Sequence, residues 1–544
     1  MGLNASSLAR MCDRPATASD ARRNNENREY DSVLQLLVRS AETSQVRIRS
    51  SEILFQDDSD EDGSTSSISR DSLDAGGGLI SRKCYFQLVS AVPSPDSTAV
   101  QTNDLHNMVK LQSGERNWRR RGPKTRSIAH VLQEREFGMP FRNIFSKGDK
   151  CRITSRLLPN QKSPHSLNYM SKSFCGTYAR NGDIFMTACQ DCVIRVYDSS
   201  QGGFREIKSV AARDVGWSIL DMAVSPDGVY FVYSSWSEYL HLCNVFGEHE
   251  VHQALPLYPD DRRFCIFSLQ FSSDGREILG GANDKCLYVY DREVHHRSLK
   301  IQAHEDDVNT VSFADKTSQI LFSGGDDGLC KVWDRRMLSE AHPKPVGVLA
   351  GHRNGITYID SKGDGRYLIT NSKDQTIKLW DVRAFSQKSA VEATRKAVDS
   401  QSWDYRWQRV PKRLLDHQKN LLGDTSLMTY RGHTVLQTLI RCHFSPEATT
   451  GQQYIYTGCA SGRVVMYDVL TGKVVTTLSG HRGCVRDVSW HPYLPVLVST
   501  SWDGTVCEWI YNSTCSFTGE GVRYEKVCAV PFSSLWERAR RLRF

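Results

Sequence analysis

Three sets of residues in this chain have the types that perform acid–base chemistry. His304 precedes Ser323, Asp327 and Trp333; His352 precedes Thr370, Asp374 and Trp380; His481 precedes Ser499, Asp503 and Trp509. A histidine, a hydroxyl and a carboxylate are the parts of a nucleophilic triad, in which the carboxylate orients the imidazole that takes the hydroxyl proton. The spacing argues against that use. In every set the carboxylate stands six residues before the Trp and the hydroxyl ten before it, and the His precedes the Trp by 29, 28 and 28 residues. A reaction centre occurs once, whereas a set that recurs at fixed intervals is a structural unit, so no catalytic residue is assigned.

Other chemistry is equally unsupported. Cys189-Gln190-Asp191-Cys192 has the spacing of a zinc half-site, but no second Cys or His pair accompanies it, and it falls on a predicted strand–turn–strand, so no metal is expected. Most of the 16 cysteines sit at apolar strand positions such as Cys286, Cys330, Cys442 and Cys507, and no secretory leader opens the chain. They read as free thiols of an intracellular protein. There is no phosphate-binding Gly-rich loop, HExxH or nucleophile elbow, and hence no cofactor is expected. No run of about eighteen apolar residues predicts a membrane span.

The elements that carry the three sets repeat as well. Between Tyr169 and Tyr511 an alternating apolar run ending in Trp-Asp or a variant recurs, at Tyr197-Asp198, Cys243-Asn244, Tyr290-Asp291, Trp333-Asp334, Trp380-Asp381, Tyr467-Asp468 and Trp509. The end-to-end intervals are 46, 47, 43, 47, 87 and 42 residues. A period in the forties with Gly-His at one end and Trp-Asp at the other resembles the WD40 repeat, one four-stranded propeller blade per copy. The resemblance implies an all-β, seven-bladed WD40 propeller over 151–511. It also implies that His304, Asp327, Trp333, His352, Asp374, Trp380, His481, Asp503 and Trp509, with the hydroxyls between them, form buried hydrogen-bond chains inside blades. With 39% hydrophobic and 10% aromatic residues, the chain of 544 has enough apolar material for a core of that size. Cys151-Arg152-Ile153-Thr154-Ser155-Arg156-Leu157 alternates like a strand and is expected to close the ring as the outer strand of the last blade.

The flanks differ in composition. Residues 1–100 carry 11 basic and 15 acidic groups and 101–165 carry 14 and 5, so the formal charge of +7 belongs to the second segment rather than to the ring. Residues 1–100 are expected to be mostly disordered: they are Ser-rich, with the acidic run Asp57 to Asp62 and one apolar island, Val33 to Val38, suited to a transient or partner-induced helix. Met1-Gly2-Leu3-Asn4-Ala5-Ser6 fits an N-myristoylation pattern. Within 101–150, the cluster Arg119 to Arg126 suits nuclear import, an acidic partner or a solvated linker. It is followed by an amphipathic helix predicted from Ile128, Val131, Leu132 and Arg135 at i, i+3, i+4 and i+7. The long interval places an insertion over 384–430, between the fifth and sixth repeats, with Trp403-Asp404-Tyr405-Arg406-Trp407 inside it. It reads as an ordered flap or an interface. Residues 512–544 form a short basic tail.

Two adjacent repeats end in Trp-Asp-x-Arg: Trp333-Asp334-Arg335-Arg336 and Trp380-Asp381-Val382-Arg383. Their contexts, LFSGGDDGLCKVWDRR and LITNSKDQTIKLWDVR, resemble the signature of WD40 substrate receptors of cullin-4 RING ubiquitin ligases. That resemblance implies a non-catalytic receptor. Arg336 and Arg383, oriented by Asp334 and Asp381 just past the innermost strands, would grip the ligase's propeller adaptor, the large damaged-DNA-binding protein subunit. Through it the receptor would reach cullin-4 and the RING subunit. Ile128, Val131, Leu132 and Arg135 would supply an inserted N-terminal helix. The opposite face or the channel would present targets, cap-n-collar transcription factors among those the family suggests, in nucleus and cytoplasm and without direct nucleic-acid contact. Residues that bind the target are unknown at this stage. The alternative is a scaffold with no ubiquitin role, its basic segment serving as a nucleic-acid or nuclear-targeting arm.

Overall fold

The computed structural model describes residues 94–115, 133, 136–137, 147–179, 181–247, 251–261, 263–415 and 420–513. They form seven antiparallel sheets, six of four strands and one of five, two of which are only two residues long. The blades span, in order, 173–211, 221–256, 266–302, 308–349, 356–430, 442–479 and 485–510. Successive first strands, such as Ile266–Phe271, Val308–Phe313 and Ile356–Ser361, adjoin one another around the axis and are the innermost of each sheet. Val308–Phe313 is buried along its whole length, because sheets pack on both of its faces. Third strands end at the Trp-Asp positions, and the fourth lie outermost.

The connectivity gives the ring two unlike sides. Turns between second and third strands, and the segments entering each innermost strand, make an upper face. Turns after the first and third strands make a lower rim. Trp-Asp-x-Arg therefore follows the third strand, one layer in from the outside, rather than the innermost strand. An outer strand must return from that corner, so the arginines lie on the periphery of the rim.

Ring closure comes from the N-terminal side. Blade 7 takes Gln161–Lys162 and Leu167–Asn168 as its outer edge, with Gln161 opposite Ile510, Lys162 opposite Trp509, and Leu167 opposite Val506. Between them the Ser163 N–H donates to the Glu508 carbonyl at 2.8 Å. The donor strand is thus not 151–157, as the alternation suggests. Lys147 to Thr154 is a helix. Its buried positions, Cys151 and Ser155, are four apart, which is the helical period, and the Cys151 thiol donates to the Glu447 carbonyl at 3.3 Å. Packing against the loop of blade 6 overrides a two-residue pattern too short to be decisive.

Six α-helices are described: α1 (Thr98–Thr102), α2 (Asp104–Gln112), α3 (Lys147–Thr154), α4 (Lys388–Asp399), α5 (Lys412–Leu415) and α6 (Glu447–Thr450). The first two are absent from the sequence reading, which assigns that stretch to the end of a disordered arm and the start of a basic segment. They form a strap on the lower rim. Val100, Leu105 and Val109 are buried with Tyr367, Ile369, Tyr430, Phe444 and Tyr467 of blades 5 and 6. Asn103 caps α2 by accepting from the Leu105 N–H at 3.0 Å. Where the strap meets α3, Gly114 has φ +76° and lies so close that a Cβ would stand 2.0 Å from the Gly148 carbonyl oxygen. Residues 1–93, with the acidic run, the apolar island and the Gly2 motif, lie outside the described residues, as do the basic cluster at 119–126 and the tail after 513.

The insertion is narrower than 384–430 and sits inside blade 5, not after it. Met428–Tyr430 is that blade's own fourth strand, paired with Ile377–Asp381. The loop leaves the lower rim, places α4 beside Gly328 and brings Tyr405 to the upper face, where the Gln437 N–H donates to the Tyr405 carbonyl at 2.9 Å.

If the short N-terminal strands close the ring, a chain starting at Leu157 should retain a cooperative thermal transition, and one starting at Tyr169 should lose it or melt far lower. Circular dichroism melts of the two chains make the comparison. Equal melting would show that 161–168 is dispensable.

Candidate functional site

The three recurring sets come together in blades 4, 5 and 7. In blade 5 the Trp380 indole N–H donates to Thr370 Oγ1 at 2.8 Å, and Thr370 donates in turn to His352 Nε2 at 2.6 Å. Because the ionised Asp374 can only accept, the proton of the neutral imidazole lies on Nδ1, and its Nε2 takes the hydroxyl proton. That proton is given to Asp374 at 3.0 Å. Blade 4 repeats the chain with Trp333, Ser323, His304 and Asp327 at 2.9, 2.7 and 2.9 Å. In blade 7 the Trp509–Ser499–His481 part is the same, at 2.7 and 2.6 Å, but His481 Nδ1 donates to Thr505 at 2.7 Å, and Thr505 donates to Asp503 at 2.6 Å. Burial opposes ionisation of Asp327, Asp374 and Asp503, yet the donors around them hold each carboxyl below its ordinary range. The hydroxyls of Ser323, Thr370 and Ser499 lie fully buried and bonded on both sides, so none of the three is open to a substrate.

Weaker blades keep the geometry with other residues. In blade 1 the Tyr169 hydroxyl bonds Thr187 at 3.0 Å and Tyr197 at 2.6 Å, and in blade 6 His433 bonds Tyr467 at 3.0 Å and Asn371 at 2.9 Å. A signal for the first was available: Thr187 stands ten residues before Tyr197, the interval of the strong sets.

A second network crosses the channel and has no motif. Arg441, entering blade 6, pairs with Asp221 of blade 2 at 2.5 Å and with Asp487 of blade 7 at 3.0 Å. All three are buried. Arg486 donates to the carbonyls of Phe174 and Leu220 at 2.6 and 2.8 Å. Despite burial, Arg441 and His443 hold the Asp487 carboxyl down to about 2. Four blades are thereby tied around the axis by buried charges.

The rim arginines are placed differently. Arg336 Nε and Nη2 donate to Asp334 at 2.9 and 2.6 Å, and Arg383 makes the same fork to Asp381 at 3.2 and 2.9 Å. Their side chains remain 68% and 56% exposed, on the same corner of adjacent blades. Neither is enclosed between sheets. Each fork consumes one edge of a guanidinium, leaving the Nη1 edge toward solvent with its plane already fixed. The strap adds to the second corner: Asn103 donates to Asp381 at 3.2 Å, and Asp104 pairs with Arg366 at 2.9 Å and with Arg383 at 3.5 Å. Arg335, between the two motif residues, turns inward to Glu277 of blade 3. Ile128, Val131, Leu132 and Arg135 lie outside the described residues.

Cys189 and Cys192 are both free, Cys189 buried in its strand and Cys192 in the turn at φ 61°. Among the described residues no group of three or more His, Cys, Asp or Glu is placed to hold a metal ion, and no helix is long and apolar enough to cross a membrane.

Comparison with known proteins agrees with the ring. The family model described as "WD domain, G-beta repeat" matches residues 296–334, 343–381 and 472–509, the copies with the strongest buried chains. The chain is 42% identical to the LEC14B protein of Lithospermum erythrorhizon over 417 residues, 74% of this chain and 86% of that protein. It is 42% identical to the DDB1- and CUL4-associated factor 11 homolog of Caenorhabditis elegans over 422 residues, 75% of this chain and 72% of that protein. The corresponding homolog of Caenorhabditis briggsae is 41% identical over 385 residues, 68% of each chain. Fold and networks thus define a seven-bladed WD40 propeller. More narrowly, the chain belongs to the family that holds LEC14B and the homologs of DDB1- and CUL4-associated factor 11.

The channel network makes an acid-stability prediction. Asp487 has a folded-state pKa near 2 against an unfolded value of about 3.9. Its contribution is therefore complete above about pH 4 and is lost as pH falls toward 2. Arg441→Met, which leaves two buried carboxylates without their cation, should cost about 3–5 kcal/mol in urea unfolding at pH 7. Its deficit relative to the parent should shrink between pH 4 and pH 2. A deficit independent of pH would contradict the assignment.

Proposed function

We propose that this protein is the substrate-recognition subunit of a cullin-4 RING ubiquitin ligase, docking on the large damaged-DNA-binding adaptor protein by its lower rim. The observation that carries the reading is the pair of exposed guanidinium forks, Arg336 and Arg383, held in plane by Asp334 and Asp381 on adjacent blades. The relatives named for association with DDB1 and CUL4 support it.

Holding the forks in advance has an energetic purpose. A free arginine loses side-chain entropy when it docks, whereas one already bonded to a neighbouring carboxylate has surrendered that freedom during folding. The outward edge then offers parallel N–H donors to a carboxylate or to backbone carbonyls of the adaptor. Two such edges on adjacent blades set both position and rotation. The helix carrying Ile128, Val131, Leu132 and Arg135 belongs to the same proposal as a second anchor.

In this reading the chain performs no bond chemistry. It raises the concentration of target lysines near the loaded ubiquitin-conjugating enzyme, a proximity effect. Cap-n-collar transcription factors as targets, and work in both nucleus and cytoplasm, are further parts of the proposal.

Arg336→Glu with Arg383→Glu should weaken adaptor binding by roughly tenfold or more, while the melting temperature stays within a few degrees of the parent. Co-purification and calorimetric titration with purified adaptor measure the first, and differential scanning fluorimetry the second. Undiminished adaptor recovery would overturn the assignment. Salt-sensitive RNA binding without adaptor recovery would favour the scaffold alternative.

A further inference from the structure

The two rim forks differ in what stands behind them. On blade 4 each cation has its own carboxylate: Arg336 takes Asp334, and Arg335 turns away to Glu277. On blade 5 two cations share one. Asp381 Oδ2 accepts from Arg383 Nη2 at 2.9 Å and also from Arg366 Nε and Nη2 at 3.3 and 3.2 Å. Two guanidiniums crowded on a single buried carboxylate repel one another, and the attraction of the one anion is divided between them.

The strap supplies a second anion. Asp104 Oδ2 stands between the same two side chains, 2.9 Å from Arg366 Nη2 and 3.5 Å from Arg383 Nη2. Two cations and two carboxylates then make a closed, neutral set. The backbone that carries Asp104 is held in place. Asn103, directly before it, donates to Asp381 at 3.2 Å, while its Oδ1 accepts from the Tyr367 hydroxyl at 2.6 Å and from the Leu105 N–H at 3.0 Å. Val100, Leu105 and Val109 seat the two helices on blades 5 and 6.

We propose that Asp104 is a positioning residue for adaptor docking: by neutralising Arg366 it leaves Asp381 able to hold Arg383 in its outward plane. Without that charge, one of the two guanidiniums has to leave Asp381. Arg366 is the one that stays, since its side chain is 20% exposed and lies 4.7 Å over the Tyr367 ring, whereas that of Arg383 is 56% exposed. A loosened Arg383 must be ordered again by the partner, and affinity falls. Arg336, alone on Asp334, is indifferent to the strap. The inference deepens the receptor reading and rests on it for the identity of the partner, while the placement of Arg383 can be measured without it.

The test uses the full chain, purified adaptor and Asp104→Asn, which keeps the size of the side chain and removes its charge. Calorimetric titration should show adaptor binding weakened about fivefold. A double-mutant cycle locates the effect. In an Arg383→Gln background Asp104→Asn should weaken binding no further, and in an Arg336→Gln background it should show its whole effect. A residue that merely stabilised the strap would act alike in all three backgrounds.

A second readout needs no adaptor. The Arg383 Nε–H resonance, assigned by its loss in Arg383→Gln, should lie away from the free-arginine position in the parent and collapse to it in Asp104→Asn, while the Arg336 resonance stays where it is. Unchanged or tighter adaptor binding by Asp104→Asn, an equal loss in the Arg383→Gln background, or an Arg383 resonance that does not move each overturns the proposal. If Arg336→Gln and Arg383→Gln both bind adaptor like the parent, the docking role of the forks falls, and the resonance alone decides whether Asp104 positions Arg383.

Discussion

A sheet with a free edge offers unpaired N–H and C=O groups to any passing strand, and the whole molecule is organised around removing one such edge. Blade 7 obtains its outer strands from 161–168, more than 300 residues away in the chain, and the ring is shut by their bonds to Thr505–Ile510. Closure fixes which sides of the sheets face each other and so where every turn lies. Arg441 ties the ring from within, pairing with Asp487 on neighbouring blade 7 and reaching across the axis to Asp221 on blade 2.

Within that frame the same carboxylate position serves stability and recognition. Asp381 ends the third strand of blade 5 almost fully buried, receiving Arg366 and Asn103, yet it also holds the fork of Arg383. Asp334 does less inside the fold, since Arg335 turns to Glu277 and the strap does not reach it. The two arginine corners are thus alike in geometry and unlike in setting, one open and one bordered by Asp104. Recognition residues on this rim inherit their rigidity from the blade ends and need no separate scaffold.

The two sides of the ring differ in chemistry. Below are charged forks in fixed planes, suited to a partner whose surface is itself rigid. Above, the indoles of Trp217 and Trp236 stand partly exposed, and Lys373 and Arg395 are paired with Asp326 and Glu305. The insertion joins them: it leaves blade 5 next to Arg383, runs through α4 and delivers Tyr405 to the upper face before returning as that blade's outer strand.

Local pattern was enough for much of this. The recurring repeat ends determined seven blades, and the fixed intervals between His, hydroxyl, Asp and Trp in three of them the buried chains, because each chain is made within one or two neighbouring strands and depends on little beyond some thirty residues. Trp-Asp-x-Arg likewise located the rim forks, each arginine bonding a residue two positions away. What the sequence could not decide were contacts between distant segments. The closing strand was misplaced because alternation over 151–157 is as compatible with a helix packed on α6 as with an edge strand. The strap at 98–112 escaped notice because Val100, Leu105 and Val109 make a hydrophobic face only once blades 5 and 6 supply the other half. Arg441, Asp221 and Asp487 were invisible for the same reason: 220 residues separate the first pair, and only a closed ring brings opposite charges together across its axis.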